Sequence, residues 1–171
     1  YRSDQYLNTE EDNGNTKLEN ALLSGAKYLV LWGAVNDINQ GHTSDEVWNG
    51  YNSGVGVKEA FDRAIARGMH PILVTEPGKA DFDSTEIRYT LEYNQRLREY
   101  TESHPSCILF DIARVVWDPS SASSIAFKTN YYNADGLHLV PYGGYFAGKA
   151  FASLMGSIIP AFQQQPSARF E

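Results

Sequence analysis

Three short apolar runs, each followed by a stretch with helical spacing, constrain this chain more than any other feature. Lys27-Tyr28-Leu29-Val30-Leu31-Trp32 ends at Gly33, the pattern of a buried strand. Pro71-Ile72-Leu73-Val74-Thr75 is bounded by Glu76-Pro77-Gly78, and Cys107-Ile108-Leu109-Phe110-Asp111-Ile112 is the third run. Between and after them the period changes. Leu18 to Leu22 has helical spacing, and Thr43 with Glu46 three residues on has the form of a capping box. Val57, Phe61, Ala64 and Ile65 fall on one helical face, with Gly68 placed to end it. Asp83 and Glu86 repeat the start signal for a long helix. Its expected inner stripe is Ile87, Leu91, Asn94, Leu97 and Thr101, and His104-Pro105 stop it. Pro141 opens a last helix with Tyr145, Ala150, Leu154 and Ile158 facing inward.

Strands alternating with helices predict an α/β fold, a three-layer α/β/α sandwich around a parallel sheet. The chain's 171 residues suffice for one domain with a real core and not clearly for two. That domain is expected at residues 1–160, with Gln163-Gln164-Gln165-Pro166 in a tail or linker at 161–171.

Composition removes whole classes of function. With 42% apolar and 20% charged residues, this is an ordinary globular sequence. A net charge of -7 opposes a nucleic-acid partner, whose backbone calls for clustered Lys and Arg. No apolar run approaches a membrane span. Cys107 is the single cysteine, so no intrachain disulfide forms, and secreted and intracellular lives are both allowed. His42, His70 and His104 lack ligand spacing to one another or to Cys107, so neither a metal nor another cofactor is expected. Gly54-Val55-Gly56 has no strand before it and no third glycine, which removes a nucleotide-binding loop.

Ligands of parallel sheets bind beyond the carboxyl ends of the strands. That rim should hold Gly33-Ala34-Val35-Asn36-Asp37, Thr75-Glu76-Pro77 and the loop carrying Asp135-Gly136-Leu137-His138. A turn would be content with Asp135-Gly136 alone. A carboxylate three residues before a histidine can also reach back to Nδ1 and hold the tautomer. It then stabilises the imidazolium formed when Nε2 accepts a proton. Asn36, just past a buried strand, can aim its amide NH2 into the rim to meet an oxyanion. Asp37 is expected to cap local backbone amides rather than react.

In this order and at strand ends, these blocks resemble the SGNH (GDSL) hydrolases, whose sheet has about five parallel strands. The resemblance spans roughly residues 13 to 159. It implies that Asp135 and His138 are the orienting carboxylate and the base of a Ser-His-Asp triad. It also implies an oxyanion hole from Asn36, Gly14 and the serine's own amide, with Asn13-Gly14-Asn15-Thr16 as the glycine block. One departure stands out: Ala34 occupies the place of a glycine, and Gly33 precedes it.

The family's Gly-Asp-Ser block is absent from the chain. Ser3-Asp4 has the wrong order, lies too close to Gly14 for an intervening strand and helix, and follows no apolar run. Ser24, Ser44 and Ser53 lie away from the expected rim. The chain opens on Tyr1 rather than Met, with no visible signal peptide. The nucleophile is therefore expected on a polypeptide segment upstream of Tyr1, and the first strand of the sheet with it.

The function implied is carboxylic-ester hydrolysis through an acyl-serine, on O-acetyl or short acyl groups. The polar, aromatic-bearing loop at 118–134 tilts the substrate towards an acetylated carbohydrate. Tyr131, Tyr132 and the rim residue Glu76 are the candidates to touch it, while Trp48 and Trp117 are expected to pack. The partners are thus a small-molecule or glycan ester and the upstream segment, with an extracellular or surface-associated location favoured. The alternative is a glycan-binding module that kept the fold and lost catalysis.

Overall fold

The computed structural model describes residues 2–11, 14–120 and 125–159; Asn13, residues 121–124 of the polar loop and the expected tail lie outside the described residues. Strands β1 (Tyr28–Leu31), β2 (His70–Val74) and β3 (Ile108–Phe110) pair in parallel in the order β1-β2-β3. Leu29 aligns with Pro71, and Leu73 aligns with Leu109. Because β2 lies between two neighbours, Pro71 to Val74 are all buried. β1 has no second partner strand among the described residues, and it leaves Val30 52% exposed.

Local chemistry accounts for most helix starts. Thr16 and Glu19 close a capping box on α2 (Lys17–Leu23), and Thr43 and Glu46 close one on α4 (Ser44–Asn49). Asp83 accepts the amides of Thr85 and Glu86 to start α6 (Ser84–Ser103), while Pro141 opens α8 (Pro141–Ile158). α5 (Val57–Ala66) buries Val57, Ala60, Phe61 and Ala64. Two short helices, α1 (Ser3–Asn8) and α3 (Val35–Ile38), were not legible as periodic stretches.

Alternation along the strands feeds two cores, which makes the three layers. Leu29 and Leu73 join Val57, Phe61 and Leu97 on one face; Ile72, Val74 and Phe110 join Val116, Ala147 and Met155 on the other. Each fully buried Val, Leu, Ile, Phe or Met side chain stabilises the fold by roughly 1.5–3 kcal/mol relative to exposure.

Three expectations are corrected. The third strand stops at Phe110, because Asp111 caps a further helix, α7 (Ile112–Val116), by accepting from the Arg114 amide. On α6 the buried face is Thr90, Tyr93, Asn94, Leu97 and Tyr100. Ile87 and Leu91 are only partly buried, since Tyr93 and Tyr100 take the places against Trp48, at ring distances of 6.4 and 5.5 Å. On α8 the buried residues are Gly143, Ala147 and Met155, with Tyr145 62% and Ile158 36% exposed. The small residues win because the helix lies against backbone: a Cβ on Gly143 would stand 2.3 Å from the Tyr131 carbonyl oxygen.

Candidate active site

An open cleft of about 470 Å³ lies at the carboxyl ends of β1 and β2, where parallel sheets bind ligands. The β1 end contributes Trp32 to Asn36, the β2 end Glu76 to Gly78, and the loop before α8 Tyr132 and Leu137 to Leu139. The cleft thus gathers Asn36, Glu76, Tyr132 and His138. Gly14 and Tyr131 do not line it.

Behind His138 stands Asp135. Its Oδ2 lies 2.8 Å from His138 Nδ1, and its Oδ1 accepts the backbone amides of Leu137 and His138 at 2.9 and 3.0 Å. These donors, the His138 ring first, hold the Asp135 carboxyl down at about 2, so it stays ionised across the neutral range. The turn is itself docked: Ala80 donates its amide to the Gly136 carbonyl at 3.0 Å.

At the β1 end, Gly33 adopts φ +155° and Ala34 φ −154° with ψ −14°, so the unusual backbone needed before Asn36 falls on the glycine one residue early. Ala34 is buried, 1% exposed. Asn36 then projects from α3 into the cleft lining. Its neighbour Asp37 is buried and receives both the backbone amide (3.0 Å) and the hydroxyl (2.6 Å) of Ser3, as well as the Tyr51 hydroxyl. Asp37 therefore caps backbone as expected, but on a segment 34 residues away. Ser3, whose proton is committed to Asp37, does not line the cleft.

Glu76 lines the cleft, yet it is 2% exposed, and its carboxylate accepts the Ala34 amide at 2.8 Å. Burial pushes its pKa up to about 7, against the opposing pull of the Ala34 amide, and the nearby Asp37 charge adds to the rise.

Tyr132 stacks on Phe127 with ring centroids 3.9 Å apart, and burial raises its phenol well above the ordinary value. Tyr131 packs instead against Tyr142 and Phe146 of α8, at 5.6 Å from each. Gly14 occupies an exposed turn and donates its amide to Glu11. Trp48 is buried in the core, and Trp117 donates its indole N–H to the Pro77 carbonyl at 2.9 Å. Sequence reasoning gave no role to Trp32 or Tyr6, which also line the cleft. Trp32 was open to discovery as the last residue of a strand on the rim; Tyr6, on an unpredicted helix, was not.

Among the described residues no serine, threonine or cysteine lines the cleft, no group of metal-ligating side chains is found, and no helix is long and apolar enough to cross a membrane.

No protein-family model matches the sequence, and no curated protein matches it. Solved structures do match. An assigned acylhydrolase from Bacteroides fragilis NCTC 9343 has a TM-score of 0.61 at 19% identity, over 77% of this chain and 62% of its own. A member of the lipolytic G-D-S-L family from Veillonella parvula DSM 2008 has a TM-score of 0.60 at 18% identity, over 82% of this chain and 71% of its own. The chain therefore spans about three-fifths of the Bacteroides protein. The chain has the three-layer α/β/α fold of the SGNH (GDSL) hydrolases.

Proposed function

We propose that this chain carries the base and the oxyanion donor of a carboxylic-ester hydrolase that works through an acyl-serine. The observation that carries this is the 2.8 Å bond from Asp135 to His138 Nδ1, beside a cleft that Asn36 also lines. With Nδ1 engaged, Nε2 is the nitrogen left to take a proton. It accepts the serine proton as Oγ bonds to the acyl carbon, and the carbonyl π pair moves onto oxygen, where the Asn36 NH2 donates to it. Collapse of the tetrahedral adduct expels the alcohol, which leaves with the proton from Nε2. Water, activated by the same imidazole, then breaks the acyl-serine bond.

The serine is supplied by polypeptide outside the 171 residues. Two features favour its arrival along β1. Among the described residues β1 has one unpaired edge, Val30 and the following Trp32 are about half exposed, and a groove of about 250 Å³ runs beside them, lined by Leu7, Leu18, Ala21 and Leu29 among others. A strand added parallel to β1 would end level with Gly33, at the cleft. The substrate is an O-acetyl or short acyl ester, with the Tyr132 and Trp32 rings suited to a carbohydrate alcohol.

A glycan-binding module is the second reading, favoured by the lack of a serine, threonine or cysteine among the described lining residues. A fluorophosphonate separates the two when applied to the chain extended upstream of Tyr1. The hydrolase reading expects an adduct on a serine preceding Tyr1, lost in His138→Ala. No adduct, with glycan binding intact, would leave the binding module.

A further inference from the structure

The Glu76 residue is fixed at both ends. Its backbone amide donates to Asn94 Oδ1 at 2.7 Å, and its carbonyl accepts from Asn94 Nδ2 at 2.7 Å, so α6 clamps the main chain. Asn94 itself is fully buried, and an amide side chain paired twice with one backbone unit has little freedom to move. At the other end the carboxylate accepts the Ala34 amide at 2.8 Å, and the Val35 amide and Trp32 side chain favour its charge from the same side. Ala34 is the N-cap of α3 and Val35 its first residue, with Asn36 the second.

We propose that Glu76 is a positioning residue, whose ionised carboxylate holds the Trp32–Val35 turn and thereby sets where the Asn36 amide stands in the cleft. α3 is only four residues long and has little stability of its own. Without an acceptor at its start, the Ala34 and Val35 amides would be buried without partners or would turn towards one another's carbonyls. Either change displaces Asn36. A displacement of about 1 Å in a donor can cost up to a hundredfold in rate. The carboxylate therefore acts on the reaction through Asn36, and on the reading that the cleft hydrolyses esters its charge should appear in kcat rather than KM.

The charge is costly in this place. Burial raises the carboxyl to about 7, so its ionisation changes within the neutral range. The titratable groups facing it are Asp37 on α3, Tyr93 on α6 and Tyr132 on the loop before α8, with His138 lining the same cleft. The tyrosines stay neutral there, because burial raises both phenols. Protonation of Glu76 would weaken its hold on the Ala34 amide, since a neutral acid is the poorer acceptor.

Two measurements test this. In 1H–15N spectra recorded from pH 5 to 9, the Ala34 and Val35 amides and the Asn36 side-chain NH2 should shift together with a midpoint near 7. The shift should persist in His138→Ala and vanish in Glu76→Gln. A midpoint absent from the wild type, or retained in Glu76→Gln, overturns the proposal whatever the enzyme does. The second measurement is p-nitrophenyl acetate hydrolysis by the chain extended upstream of Tyr1. Glu76→Gln should lower kcat roughly tenfold to a hundredfold with KM within about twofold. A folded Glu76→Gln protein with wild-type kcat overturns the positioning role even where His138→Ala is inactive. Turnover that survives His138→Ala instead removes the hydrolase mechanism and leaves the spectra to decide on Glu76.

Discussion

Asp135 and His138 are joined twice: one carboxylate oxygen accepts the His138 backbone amide at 3.0 Å, and the other stands 2.8 Å from the imidazole Nδ1. One side chain therefore shapes the turn and orients the ring within a span of four residues. The structural demand and the chemical demand on Asp135 are met by different oxygens, which is why a motif that could be only a turn can also hold a base.

From this pair, His138→Ala in a catalytically complete polypeptide should lower kcat/KM by at least roughly 10³-fold without unfolding the protein. Asp135→Asn should be milder or equal, because its amide can still accept the Leu137 and His138 backbone donors while losing the preferred tautomer. Steady-state kinetics beside circular dichroism check both. Near wild-type turnover in His138→Ala would remove it as the base.

Asn36→Ala should lower kcat by roughly 10²–10³ with little change in KM, the pattern of a donor that acts only on the transition state. A raised KM at constant kcat would make Asn36 a ground-state contact instead.

Asp37 answers to stability rather than rate. Its carboxylate accepts the Ser3 amide, the Ser3 hydroxyl and the Tyr51 hydroxyl, and it is 1% exposed. Asp37→Ala strands these donors and should cost about 3 kcal/mol or more in urea unfolding, at roughly 1–3 kcal/mol for each buried group left unsatisfied. A loss below about 1 kcal/mol would mean that water replaces the carboxylate.

Glu76 should give the fold a pH dependence of definite sign. Its folded pKa, about 7, lies above the ordinary value of 4.5, so between those values the folded protein keeps a proton that the unfolded chain has released. Stability then falls as pH rises through that window and levels off above it, by roughly 3 kcal/mol in all. Urea unfolding at pH 5 and pH 8 should show this loss in the wild type and not in Glu76→Gln. Equal losses in the two proteins would assign the slope to other groups.

Much of this was legible in the sequence for physical reasons. β1 and β2 run out at Gly33 and Pro77, and Thr43–Glu46, Asp83–Glu86 and Pro141 mark three helix starts, so local chemistry alone shows them. The Asp135–His138 contact was legible because both partners lie on one turn. What escaped depends on distant parts of the chain. Glu76 looks like any rim carboxylate until Asn94 and Ala34, 18 and 42 residues away, close around it. Ser3 reads as a stray N-terminal residue, and only the fold brings it to Asp37. The faces of α6 and α8 were misread for a related reason. Periodicity finds an apolar stripe, but the stripe that is buried is decided by what lies opposite, Trp48 for Tyr93 and Tyr100, and the Tyr131 backbone for Gly143.

The most direct measurement is p-nitrophenyl acetate hydrolysis by two polypeptides, the chain from Tyr1 and the same chain extended upstream, each beside its His138→Ala variant. The account predicts His138-dependent turnover in the extended chain and none in the chain from Tyr1, because base and oxyanion donor are then present without their nucleophile. His138-dependent turnover by the chain from Tyr1 would place the nucleophile within these 171 residues, and turnover of the extended chain without His138 would contradict the mechanism itself.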